Sequence, residues 1–195
     1  CPSDDEPSHD GFRIRSDTPE PPERLASGVI LDSAVAYRDR LATRRTVRDF
    51  SDAPIDRAVI EACELAAGSA PCGANNQPWH LACVSDPDTK RAIRKSPEAE
   101  EQAFYGGRAR ERWLNDLKKI GTDASKPFLE TAPCLIAVFA ERYGIGEKGS
   151  RQKHYCVSES VGIATGFLIN AIHQLGIAAL TRTPNPMKFL NDKHQ

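Results

Sequence analysis

From about residue 32 onward, apolar positions fall into short periodic runs set apart by prolines and glycines. Residues 33–43 predict a first helix. Pro54 and Gly68 bracket a second, with Ile55, Val59, Ile60, Cys63, Leu65 and Ala66 as its apolar face. Residues 78–85 alternate, with Trp79, Leu81 and Cys83 on one side, and predict a strand stopped by Asp86 and Pro87. A short helix is expected over 88–95, and Pro97 opens a longer helical region through Trp113 toward Lys119. Residues 134–139 are continuously apolar, which predicts a strand buried on both faces. Residues 152–175 lack proline and are apolar nearly all round their middle, so a central helix is expected there, ended by Gly176. Residues 177–183 predict a last strand before Pro184. Helices alternate with few strands, and the expected class is a layered α/β or α+β domain.

Residues 1–30 break this pattern. They hold five of the fourteen prolines and a run of acids, which predicts an extended, mobile or wrapping arm before a folded body over 31–195. The whole chain, 195 residues, is the size of one domain. Its 26 basic and 27 acidic residues leave a net charge of −1, which argues against nucleic acid and anionic membrane surfaces as partners. No apolar run is long enough for a membrane helix, and no segment reads as a signal peptide. Six cysteines occur without a C-x-x-C pair, and Cys63, Cys83 and Cys134 sit in apolar stretches. Reduced, buried thiols and a cytoplasmic location are expected, with neither a disulfide frame nor a metal site.

Several motifs invite a chemical reading. Gly144, Gly146 and Gly149 form a literal G-x-G-x-x-G, but Glu141, Arg142 and Tyr143 separate it from the preceding strand. A surface loop is expected, not a dinucleotide turn. The five histidines show no metal-ligand spacing, and nothing orients Cys72 and His80 as nucleophile and base. Arg44, Arg45, Thr46, Val47 and Arg48 place three guanidiniums and a hydroxyl in five residues, suited to bidentate phosphate capture. Basic residues also favour helix C-termini, and the composition alone does not separate the two. Pro71, Cys72, Gly73, Ala74, Asn75 and Asn76 lie between a helix and a strand, where backbone amides could approach a flat ligand or simply make a turn.

Taken together, R-R-T-V-R at 44–48, A-P-C-G-A-N-N-Q-P-W at 70–79 and T-R-T-P at 181–184 resemble the flavin-binding signature of the FMN-dependent nitroreductase superfamily. Glu101, Tyr105 and Lys126, with Trp113, Asp116 and Lys119 between them, resemble its iodotyrosine deiodinase branch in particular. The similarity runs from about Arg44 to Pro184. It implies a three-layer domain, with a mixed sheet flanked by helices, in an intertwined homodimer with FMN at the interface. It implies that Arg44, Arg45 and Arg48, helped by Thr46 and Val47, hold the FMN phosphate. Pro71, Cys72, Gly73, Thr181, Arg182 and Thr183 would contact the flavin, and the Ala74 amide would hold a substrate phenolate. The Thr183 hydroxyl would sit near the flavin N5, favouring one-electron steps, and is the implied catalytic group.

Glu101 and Tyr105 stand i,i+4 on one predicted helical face. A carboxylate, a phenol and the ammonium of Lys126 match an amino-acid zwitterion: Glu101 for the ligand ammonium, Lys126 for its carboxylate, Tyr105 for a further hydrogen bond. Without the surrounding match, they would read as a solvated Glu and Lys with a half-buried Tyr.

Three features depart from the family pattern. Cys72 stands where Ser is usual, and a thiol is the poorer donor. Arg182 adds a charge between two threonines. The sequence ends at Gln195, before the family's further strand, flavin-contacting Arg and crossing tail, so a C-terminal truncation is expected. The activity implied is FMN-dependent reductive dehalogenation of halotyrosines, with NAD(P)H or a reductase as electron source. A general nitroreductase or quinone reductase is the alternative, and a non-catalytic flavin or aromatic amino-acid binder the second.

Overall fold

The computed structural model describes residues 26–103, 125–146 and 149–183. Helix α1 spans Ser27–Ala42 and begins six residues before the patterned stretch that predicted it. Its early turns carry Val29, Ile30 and Leu31 outward, so apolar periodicity with one buried face gave no signal there. Helix α2, Arg57–Gly68, starts where the Asp56 side chain accepts the backbone N–H of Ala58 at 2.9 Å. Ile60, Cys63 and Ala67 are its buried residues, whereas Leu65, expected inside, faces out.

Strand β1, Trp79–Val84, pairs antiparallel with β2, Leu135–Ala140, opposing Leu81 to Val138 and Cys83 to Ile136. Strand β2 is only half-buried over most of its length, contrary to the expectation of full burial, because β1 is its one strand partner among the described residues. One face of the pair carries the core: Cys63, Ala67 and Leu168 pack together, with Leu81, Ile136, Val138, Ala171 and Ile172 around them.

Helix α3 is continuous over Pro87–Ala103 and merges the two helices predicted on either side of Pro97. Proline removes one helical N–H bond and usually ends a helix. Here contacts on both sides of it hold the turn: Lys90 donates to the carbonyls of Glu130 and Ala132, and Arg94 pairs with Glu98 at 2.9 Å. Any continuation toward Lys119 lies outside the described residues. A single turn, α4 (Phe128–Thr131), packs against α3.

Gly144 and Gly146 lie at the end of a hairpin. Strand β3, Tyr143–Ile145, pairs with β4, Arg151–Lys153, and the Gly146 N–H reaches the Ser150 carbonyl at 2.8 Å. Two short strands were missed at this position, and no helix follows the glycines directly. Helix α5, Val157–Gln174, therefore starts five residues later than the pattern suggested, after Cys156 in a left-handed conformation. Its end matches the expectation. Gly176 takes a φ of 74°, its N–H bonds to His173, and that of Ile177 bonds to Ile172. This pair of bonds is the glycine-terminated helix cap. The predicted last strand reduces to one parallel bridge, Thr46 to Ala179.

Candidate flavin and substrate site

The C-terminal ends of α1 and α5 are locked together. Arg40 donates to the carbonyls of His173 and Gln174 at 2.9 and 3.1 Å, and Thr43 Oγ1 lies 3.2 Å from His173 Nε2. A cation on the open carbonyls at a helix C-terminus satisfies acceptors the helix itself leaves unpaired. The chain leaving α1 then runs beside the chain leaving α5. Thr46 bridges Ala179, and the Val47 N–H reaches the Ala179 carbonyl at 3.4 Å. Two motifs far apart in sequence, Arg44 to Arg48 and Thr181 to Thr183, are thereby brought side by side.

The three arginines differ. Arg45 Nη1 turns back onto the carbonyls of Ala42 and Arg44 at 2.7 and 2.8 Å, so this guanidinium also caps its own helix. Arg44 is exposed and Arg48 half-buried. Among the described residues, no carboxylate pairs with any of them.

The loop from Pro71 to Gln77 is held in an unusual backbone conformation. Ala74, Asn75 and Gln77 have φ of 52°, 52° and 44°, a left-handed region that costs residues with a Cβ of order 1 kcal/mol each. Internal bonds hold the loop there. The Cys72 sulfur accepts the Gln77 N–H at 3.1 Å, and Gln77 Nε2 donates to Gly68 at 3.2 Å. A thiol serves as acceptor in this turn, which gives Cys72 a structural task beside the flavin contact expected of it. Gly73 passes so near Tyr155 that a Cβ would lie 3.2 Å from its carbonyl oxygen. Ala74 is exposed.

On the substrate side, Glu101 falls in the last turn of α3. Tyr105, Trp113, Asp116 and Lys119 lie outside the described residues. Lys126 is buried, with 4% relative exposure. Its backbone N–H donates to Glu98 Oε1 at 2.5 Å. Glu98 also pairs with Arg94, which reaches Glu130 at 3.2 Å. Burial alone would push the Glu98 carboxyl up. The Lys126 N–H, the Arg94 guanidinium and the charge of Arg182 outweigh it and hold the group below its ordinary range. Arg182 is half-buried and its charge is felt at Glu98, a link between the flavin-side and substrate-side segments. Glu98 and Arg94 were missed from sequence. Their only signal was an i,i+4 charge pair, common on any solvated helix.

This donor set suits a phosphorylated ligand: guanidiniums without carboxylate partners among the described residues, exposed Thr181 and Thr183, and a strained loop with an exposed alanine. Among the described residues, no group of three or more His, Cys, Asp or Glu could hold a metal ion, and no helix is long and apolar enough to cross a membrane.

The nitroreductase family model matches residues 41–190. Over 161 residues the chain is 50% identical to an iodotyrosine deiodinase of Haliscomenobacter hydrossis, covering 83% of this chain and 72% of that protein. The chain belongs to the nitroreductase family, in its iodotyrosine deiodinase branch. It is 40% identical over 148 residues to iodotyrosine deiodinase 1 of Homo sapiens, covering 76% of this chain and 51% of that one. It thus spans about half the length of that animal relative. Among solved structures, an oxidized iodotyrosine deiodinase bound to FMN and 3-iodo-L-tyrosine superposes with a TM-score of 0.71 at 30% identity, over 80% of this chain and 79% of that one. An FMN-bound nitroreductase from Bacteroides fragilis matches at a TM-score of 0.51 and 17% identity, over 74% of this chain and 67% of that one, a likeness of fold.

Proposed function

We propose that this chain is an FMN-dependent oxidoreductase that removes halide from halotyrosines. The observation that carries the proposal is the Glu98–Lys126 bond, which draws buried Lys126 to the helix bearing Glu101. A cation and a carboxylate carried on two segments so joined match the two charges of a free amino acid. In the net reaction an aryl carbon–halogen bond is replaced by a carbon–hydrogen bond. Two electrons and one proton are consumed, and halide leaves. FMN, when bound, supplies the electrons, taken in turn from NAD(P)H or a reductase.

The chain's own groups bind and orient. Arg44 and Arg48, with the remaining donors of Arg45, hold the phosphate of FMN, and Thr46 adds a hydroxyl. Pro71, Cys72, Gly73, Thr181 and Arg182 form the wall along the ring, and the Thr183 hydroxyl hydrogen-bonds it. The Ala74 N–H faces the substrate phenolate; Glu101 takes the ammonium, Lys126 the carboxylate, and Tyr105 adds a bond. Burial of Lys126 strengthens its pull on a carboxylate, since solvent screens the pair less there.

The active form is a homodimer. Support comes from Val29, Ile30, Leu31 and Leu41 on α1 and from Ile163 and Phe167 on α5, all exposed in the single chain. Large apolar side chains left exposed on two neighbouring helices are what an obligate interface covers.

The test is titration of the FMN-loaded protein with 3-iodotyrosine, read by flavin fluorescence, followed by iodide release under a chemical reductant. Quenching at micromolar ligand, lost in Lys126→Ala, and release of iodide are expected. FMN binding with no response to halotyrosine overturns the substrate assignment in favour of a general nitroreductase. Tight halotyrosine binding without iodide release under reductant leaves a binding protein instead.

A further inference from the structure

Cys83 and Cys134 meet at one end of the β1–β2 pair. Their sulfurs are 2.8 Å apart, about 0.8 Å more than a disulfide bond. The register explains the meeting. Cys83 opposes Ile136, so Cys134, two residues before Ile136, falls on the same face of the sheet. Both thiols open on a cavity of about 900 Å³ between α2 and the sheet end, which Glu61, Glu64 and Lys90 also line. Their surroundings differ. Cys83 is exposed, contrary to the expectation of buried thiols, while Cys134 is half-buried. Burial and the contact with Cys83 push the Cys134 thiol up.

We propose that Cys83 and Cys134 form an oxidation-sensitive dithiol that closes to an intramolecular disulfide on reaction with a peroxide. Exposed Cys83 reacts first. Its thiolate attacks one peroxide oxygen, the O–O bond breaks, and Cys83 sulfenic acid and one water (or alcohol) form. The Cys134 sulfur then attacks the Cys83 sulfur, the S–O bond breaks, and hydroxide leaves as water with the Cys134 proton. Two thiols lose two electrons and two protons, and the peroxide is reduced by the same two electrons. The contact places the resolving sulfur beside the oxidised one, so closure precedes further oxidation. The new bond would enclose residues 84–133, which include Glu98, Glu101 and Lys126, and so tie the two ends of the substrate-side segment.

The experiment treats the FMN-loaded full chain with hydrogen peroxide, blocks free thiols with N-ethylmaleimide and maps the peptides. A Cys83–Cys134 cross-link is expected, with a mass loss of about 2 Da, reversed by dithiothreitol, and with a higher thermal midpoint in the oxidised form. Cys134→Ser is expected to stop at a Cys83 sulfenic acid that dimedone traps, and Cys83→Ser to leave Cys134 unoxidised. Full alkylation of both cysteines after peroxide, or cross-links to Cys72 or Cys156 instead, overturns the proposal. Oxidation of Cys134 in Cys83→Ser overturns the order of steps. The mapping of the unaltered chain stands whether or not either variant folds.

Discussion

The Glu98 carboxylate accepts the backbone N–H of Lys126 across 28 residues of sequence. It stands one turn before Glu101 on α3 and shares a charge pair with Arg94. The bond therefore sets where the Lys126 backbone lies relative to the helix that bears the other half of the proposed zwitterion clamp. Glu98 acts through Lys126, as a positioning residue.

Removing that acceptor should loosen the clamp without touching the flavin. A hydrogen bond to a charged group contributes about 1.5–3 kcal/mol, so Glu98→Ala is expected to weaken 3-iodotyrosine binding roughly 10- to 100-fold. Glu98→Gln keeps an acceptor oxygen and is expected to recover most of the loss. FMN affinity should stay within about threefold in both. Equal losses in the two variants, read by fluorescence titration, would mean that the acceptor itself is unimportant.

The arginine cluster should divide by geometry. Arg48 is free of carboxylate partners among the described residues, and Arg48→Ala is expected to lower FMN affinity by about 10- to 100-fold. Riboflavin, which lacks the phosphate, should bind the variant and the parent alike. Arg45→Ala should cost FMN affinity less, since Nη1 already serves the end of α1. It should lower the thermal midpoint instead, by a few degrees at most.

Two carboxylates should give opposite pH signatures. Glu98 titrates below its ordinary range in the folded chain, because the Lys126 N–H and Arg94 outweigh its burial. The unfolded chain therefore takes up that proton more readily. The stability Glu98 contributes is complete above the ordinary carboxylate range and is lost as pH falls through the folded value. The urea-midpoint gap between the parent chain and Glu98→Gln should be widest near neutral pH and narrow as pH falls below the ordinary carboxylate range. Glu64 is pushed up, first by burial and then by the charge of Glu61, against the pull of Arg57 and His80. Its Oε1 has no hydrogen-bond partner among the described residues. Its ionisation opposes folding as pH rises above the unfolded value. Glu64→Gln is expected to raise the urea midpoint near neutral pH and to give no gain in acid.

The outward apolar face predicts an assembly. Phe167→Asp puts a charge into the proposed interface and should convert the dimer to a monomer in sedimentation. FMN affinity should fall at least tenfold if both subunits build the flavin site. A variant that remains dimeric would place the interface elsewhere.

Local rules made much of this chain legible. The ends of α2, β1 and α5 fall close to the Pro54 and Gly68, the Asp86 and Pro87, and the Gly176 that marked them, since caps and turns depend on a few neighbouring residues. The same rules failed at Pro97, where contacts from Lys90 and from the Arg94–Glu98 pair keep α3 intact. They failed again at β3 and β4, whose three-residue strands are too short to show alternation.

By itself the sequence determined the residue types of the site and the family they spell: the arginine cluster, the Gly73–Ala74 turn, the paired threonines, and Glu101 with Lys126. These are chemical identities, set locally and readable in order. Only the tertiary structure decided which of them meet. The Thr46–Ala179 bridge joins two distant motifs, Glu98 ties Lys126 to α3, and the strand register sets Cys83 against Cys134. Such pairings depend on how packed helices and strands fix the separation of distant chain segments. No local preference encodes that distance, because the free energy that sets it comes from burial shared across the whole core.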